Sequence, residues 1–312
     1  MKLLFAGTPL FAVPSLEAIS RQYPICSVLT APDKPMGRGR KNHFSPVKNK
    51  ALELGLTLLQ PAKLNSEFIE NVKSLEPELL VVAAYGKIFK KLFLDIFPQG
   101  AVNVHPSLLP KYRGAAPIPA AILAGEKLTG VTIQRLALSM DAGDILMQRE
   151  YALKGDENRE ELTKVLSLIG AELLVSVIDK LAVAKIKGIP QIEEEATYCK
   201  KVDKNNGQID WNSSAKYIYR MMRAYIHWPG IFTQFKGVKL FLHKVGVYTK
   251  EYSLNNRQIG RVLGIDKEYG ILIHTGKGIL YIKELQLEYK KILDWSAFLN
   301  GHKDLIGSIL GG

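Results

Sequence analysis

A chain of 312 residues, 47% apolar and 23% charged, can fill two packed domains, and no apolar run approaches the roughly 20 residues of a membrane span. Its two cysteines, Cys26 and Cys199, stand far apart in no metal-ligand spacing. That argues against a disulfide framework or zinc site and suits a cytoplasmic protein. The formal net charge of +12 points to a polyanionic partner.

Lys2 to Ala6 reads as a short apolar strand. Gly7, Thr8 and Pro9 break the run too early for a signal peptide. A helical stretch with Phe11, Leu16 and Ala18 on its apolar side follows, then a second strand from Pro24 to Thr30. This opening predicts a Rossmann-like sheet, yet G-x-G-x-x-G is missing, so a dinucleotide is not indicated. Residues 31–50 carry Lys34, Arg38, Arg40, Lys41, Lys48 and Lys50 against Asp33 alone. An insert of this length and charge is a candidate polyanion-binding loop, with a solvated loop as the plainer alternative, and its spacing is not that of a P-loop.

Pro46 to Gly55 is predicted helical, Leu56 to Leu59 a strand, and Ser66 to Leu75 a helix capped by Ser66. Leu79 to Ala84 is a continuous apolar run, as in a central parallel strand covered on both faces. It ends at Tyr85-Gly86-Lys87, where glycine allows close approach of a flat ligand.

Ala101 to Val104 reads as another buried strand, stopped by Pro106. Asn103 and His105 lie two residues apart at its carboxyl end, so alternation puts both side chains on one side. In an open α/β sheet that end binds ligands. An amide NH2 and an imidazole together can stabilise an oxyanion and move a proton. The alternative is that both merely cap the strand. Ala115 to Gly125 is predicted helical, Gly130 to Leu136 a strand, and Met140 to Asp144 a tight turn before a strand from Ile145 to Leu153. A helix from Asn158 to about Ala184 carries Leu162, Val165, Ile169, Leu173, Val177 and Leu181 at core spacing.

The expected organisation is a catalytic domain over residues 1–188, a polar linker over 189–207, and a second domain over 208–312. The last begins with a helix from Ser213 to Ala224 and continues as short Gly-punctuated strands that suggest a small OB-type barrel. From residue 206 onward, eleven Lys and four Arg face eight acids. This surplus and that of residues 31–50 together match the whole net charge, as a phosphate-binding footprint would, with a generic basic surface as the plainer alternative.

The segment NVHPSLLPKYRGAAPI, followed by GVTI and MDAGD, resembles the folate-dependent formyltransferases. FAGTPLFAVPSL, APDKPMGRGRK with SPVK, and IDW with HWPG are similar to the methionyl-tRNA branch of that family. The resemblance covers essentially the whole chain. It implies a Rossmann-like, mostly parallel sheet, an OB-like C-terminal barrel, and formyl transfer from 10-formyltetrahydrofolate to methionyl initiator tRNA, with no metal. Carried over by position, it implies Asn103, His105 and Asp141 as the catalytic trio, with Asp141 orienting His105 directly or through a water. It also implies Ser107, Leu108, Leu109 and Pro110 lining the folate site, and Tyr85, Gly86, Lys87 and Ile88 presenting backbone to the pterin. Arg38, Arg40 and Lys41 are implied in tRNA binding. Met140 and Ala142 stand where Leu and Thr are common. A monomer without membrane association is expected. The competing readings are formyl transfer to a small amine, hydrolysis of the formyl donor, and a non-catalytic RNA-binding protein.

Overall fold

The computed structural model describes residues 1–36, 41–252 and 258–311. Strands follow in chain order as β1 (Leu3–Gly7), β2 (Ile25–Leu29), β3 (Lys34–Met36), β4 (Lys41–His43), β5 (Leu58–Leu59), β6 (Leu79–Ala83), β7 (Ala101–His105), β8 (Arg113–Gly114), β9 (Leu128–Arg135), β10 (Ile145–Ala152) and β11 (Tyr198–Cys199). The helices among and after them are α1 (Val13–Ser20), α2 (Pro46–Glu53), α3 (Ser66–Ser74), α4 (Lys91–Leu94), α5 (Pro117–Ala124) and α6 (Arg159–Ala182).

Among the described residues the main sheet has the order β10-β9-β7-β6-β1-β2-β5. β1, β2, β5, β6 and β7 run parallel; β9 runs against β7, and β10 against β9. Every residue of β1, β6 and β7 is buried, as their near-continuous apolar sequences require. The chain leaves β1 for β2 and β5 on one side and returns to β6 and β7 on the other. The carboxyl ends of β1 and β6 therefore flank a topological switch point, the usual ligand crevice of an open α/β sheet. There the Thr8 hydroxyl donates to the Tyr85 carbonyl at 3.3 Å, joining the two loops.

α6 covers part of this sheet with Leu162, Leu166, Leu173, Leu174, Val177, Ile178 and Leu181 buried. Its buried stripe runs through Leu166 and Leu174, with the predicted Val165 and Ile169 only half-buried at its edge. Gly170 allows the close approach: a Cβ there would lie 2.7 Å from Cγ1 of Val104 and 3.4 Å from Cγ1 of Val131.

The C-terminal unit contains α7 (Ala215–Ala224), β12 (Ile231–Phe235), β13 (Val238–Tyr248), β14 (Val262–Asp266), β15 (Gly270–His274), β16 (Ile279–Leu287), β17 (Leu293–Asp294) and α8 (Trp295–Gly301). Antiparallel strands run β12-β13-β16-β15-β14. The chain end links the outer strands: Val262 N donates to Ser308 O, Leu310 N to Gly260 O, and Gly311 N to Gln234 O. The tail thus joins β14 to β12, as a small closed barrel requires.

Several elements differ from expectation. The N-cap of α3 is Asn65, whose side chain accepts from Phe68 N; Ser66 is already helical. Residues 31–50 contain the antiparallel pair β3 and β4, while 37–40 lie outside the described residues. Residues 189–200, read as linker, belong to the first compact unit, with Ile189 bridged to Ile145 and β11 paired with β8. Residues 118–126 and 154–160 group with the C-terminal unit. The reason is local: Arg220 donates to Ala124 O at 3.1 Å, and Arg223 donates to Glu157 O at 3.0 Å.

Gly170→Leu should overpack the α6 contact and destabilise the fold by about 1–3 kcal/mol, the usual cost of added core volume. Urea denaturation checks this; an unchanged midpoint would show that the contact yields without strain.

Candidate active site

β7 places Asn103 opposite Gln134 and His105 opposite Thr132 on β9. Facing residues of paired strands share a sheet face, so these four polar side chains form one patch. All are at most 9% exposed. The turn before β10 brings Asp141 over the patch. Asp141 has φ of 51°, and the turn packs tightly because a Cβ on Gly143 would fall 1.9 Å from the Arg135 carbonyl oxygen.

The Asp141 carboxylate is surrounded by donors. Oδ1 accepts from Gln134 Nε2 at 2.9 Å and from Asn103 Nδ2 at 3.4 Å; Oδ2 accepts from Gly114 N at 2.8 Å. His105 Nδ1 stands 3.6 Å from Oδ2, inside ion-pair range but too long for a hydrogen bond. His105 Nε2 lies 3.0 Å from the Tyr112 carbonyl, which can only accept, so Nε2 carries a proton. In the neutral ring Nδ1 is then the proton acceptor, facing Asp141. Asp144 is exposed at the surface.

The loop from residue 106 to 114 is fixed from below by Thr132. Its hydroxyl donates to Ser107 O at 2.7 Å and accepts from Leu109 N at 3.1 Å and Gln148 Nε2 at 2.8 Å. The Ser107 and Leu109 side chains are buried, whereas Leu108 and Pro110 are half-buried. In the neighbouring loop Tyr85 is 4% exposed, its hydroxyl has no partner among the described residues, and burial pushes its phenol up to about 12. Its ring stacks on Phe89. Gly86 has φ of 83°, and nothing lies within 4 Å of the position a Cβ would take. Lys87 Nζ donates to the carbonyls of Pro61 and Ala62, which ties the loop to the far side of the crevice. Ile88 is exposed.

Residues not anticipated from the sequence complete the cluster. Gln134 was detectable, since Thr132 and Gln134 occupy alternate positions of GVTIQRL and must share a face. Arg113, Gln191, Glu193 and Thr197 give no such local signal. Arg113 is 1% exposed, with Nε donating to Gln191 Oε1 at 3.0 Å and Nη1 to both oxygens of Glu193. That hydrogen bond holds the Glu193 carboxyl below the ordinary carboxylate range. Of the expected tRNA contacts, Lys41 lies on β4, and Arg38 and Arg40 fall outside the described residues. The stem of that loop is pinned where Asp33 accepts from Lys48 Nζ and from Gln60 Nε2, and where the Thr30 and Ser45 hydroxyls meet at 2.8 Å.

The family model described as "Formyl transferase" matches residues 1–178, and "Formyl transferase, C-terminal domain" matches 201–303. The chain belongs to the formyl transferase family. It is 41% identical over 310 residues to a protein of Borrelia duttonii named methionyl-tRNA formyltransferase, covering 99% of each chain. A protein of the same name from Treponema denticola is 42% identical over 316 residues, covering 98% of each. Among solved structures, HypX from Aquifex aeolicus in complex with tetrahydrofolic acid shares the fold, with a TM-score of 0.65 at 17% identity over 98% of this chain. This chain spans about half the length of HypX, 48% of it. No helix among the described residues is long and apolar enough to cross a membrane.

Thr132→Val should strand the Leu109 amide and the Ser107 carbonyl in the interior, at about 1–3 kcal/mol for each unsatisfied group. Denaturant unfolding should show a loss of at least about 2 kcal/mol; stability equal to wild type would mean the loop takes other partners.

Proposed function

We propose that this chain transfers the formyl group of 10-formyltetrahydrofolate to the α-amino group of the methionine carried by initiator tRNA, the first amino acid of translation, in the cytoplasm. The observation that carries this reading is the convergence of Asn103, His105 and Asp141 at the carboxyl ends of a parallel sheet. The full-length similarity to proteins named methionyl-tRNA formyltransferase supports it.

The crevice suits a folate. The open backbone at Gly86 and the loop from Tyr85 to Ile88 would meet the donor and acceptor edge of a flat heterocycle, and Leu108 and Pro110 supply half-buried apolar surface beside it. The reaction joins the amine nitrogen to the formyl carbon and breaks the bond from that carbon to N10. One proton leaves the amine and one is gained by N10, with no change of oxidation state. Asn103 donates from its amide to the oxyanion that develops on the formyl oxygen. His105, anchored through Nε2, uses Nδ1 to take and return the proton, and Asp141 beside it stabilises the ring while it is charged. The cationic loop of residues 31–50 and the basic C-terminal unit supply charge for the tRNA backbone.

A small amine as acceptor would use the same trio but leaves both basic regions without a purpose. Offering the enzyme the folate donor with methionyl initiator tRNA, with an amino sugar nucleotide, or with buffer alone separates the readings. Formyl-methionyl-tRNA as the dominant product is expected; turnover with the sugar alone would replace the tRNA reading. Affinity for tRNA should also fall with salt, with a log–log slope of about −0.7 to −0.9 per phosphate neutralised. A flat response would remove the phosphate contacts from the account.

A further inference from the structure

The stretch between the two family-model spans, residues 179–200, contains a clamp on the catalytic cluster. Gln191 uses both hydrogens of its side-chain amide on the Asp141 turn, donating to Asp141 O at 2.8 Å and to Gly143 O at 2.7 Å. It also lies 3.3 Å from Gln134 Oε1, whose amide nitrogen in turn donates to the Asp141 carboxylate. Gln191 is itself oriented, because Arg113 Nε donates to its Oε1 at 3.0 Å. The amide therefore cannot flip without setting donor against donor and carbonyl against carbonyl.

The same segment reaches His105 by a second route. The Thr197 hydroxyl accepts from Tyr112 N at 2.8 Å, and Arg113 N donates to Thr197 O at 2.8 Å. Tyr112, held at φ of 61°, offers its carbonyl to His105 Nε2. One short stretch thus fixes the backbone that carries Asp141 and the acceptor that fixes the tautomer of His105. Stability alone does not account for Arg113: a fully buried guanidinium whose Nη2 has no partner among the described residues is a poor way to hold a turn, since an apolar side chain could fill the space.

From this geometry we infer that Gln191, oriented by Arg113, is a positioning residue for formyl transfer: it sets the Asp141 carboxylate against His105 and Asn103. The inference rests on the proposed catalytic role of the trio. It names a residue that touches neither substrate and acts only through Asp141.

The experiment is a double-mutant cycle on single-turnover formylation, with Gln191→Ala and Asp141→Asn alone and combined. Gln191→Ala should lower the transfer rate by about 10- to 100-fold while the KM values for donor and tRNA stay within about threefold. In the Asp141→Asn background the same substitution should cost less than about threefold, because its target is already gone. If Gln191→Ala fails to fold, Gln191→Glu keeps the acceptor for Arg113, loses both donors to the turn, and is read in the same cycle. Wild-type turnover, a loss confined to KM, or an equal loss in both backgrounds would each overturn the inference. A fully active Asp141→Asn would instead sink the catalytic reading on which it rests, and the two failures are distinguishable.

Discussion

A mostly buried carboxylate must be met by hydrogen-bond donors, since each oxygen removed from water without a partner costs free energy, and Asp141 is that group here. Its donors come from β7, β8 and β9. Each stands on a different strand, so satisfying one carboxylate fixes three parts of the fold against one another. The turn that carries Asp141 is strained at its own φ and is held by Gln191 from a fourth segment. Strand β7 already sets Asn103 and His105 on one side, and the same donors bring Asp141 up to both.

The layout explains why polar residues sit in the most buried strands of the sheet. Asn103, His105, Thr132 and Gln134 line one face where Val102, Val104, Val131 and Ile133 line the other. The apolar face rests on α6, close enough that Gly170 has no room for a side chain. The polar face is kept in register by hydrogen bonds rather than by packing. Rigidity on one side thus allows a water-excluded polar cluster on the other, the condition under which a preformed oxyanion donor is most effective.

Much of this was legible in the sequence. The uninterrupted apolar run LLVVAA identifies a strand covered on both faces, AVNV reads as a second buried strand, and Pro106 marks where that one must end. The phase of Asn103 and His105 follows from strand alternation. The site residues that escaped notice depend on pairing between distant segments. Gln191 and Thr197 reach the cluster only because Ile189 bridges Ile145 and β11 pairs with β8, and polar residues near Gly188 and Pro190 look locally like a linker. The domain boundary was displaced for a similar reason, since Arg220 and Arg223 reach backbone carbonyls nearly a hundred and more than sixty positions away.

The central claim is that Asn103 and His105 act on the transition state rather than on binding. Single-turnover formylation of methionyl initiator tRNA by Asn103→Ala and by His105→Ala, with donor affinity measured on the same preparations, tests it most directly. The account predicts a loss of about 100- to 1,000-fold in rate for each, the usual order for removing an oxyanion donor at Asn103 or a general acid–base at His105, with donor affinity largely kept. A rate within about threefold of wild type for either variant would contradict it.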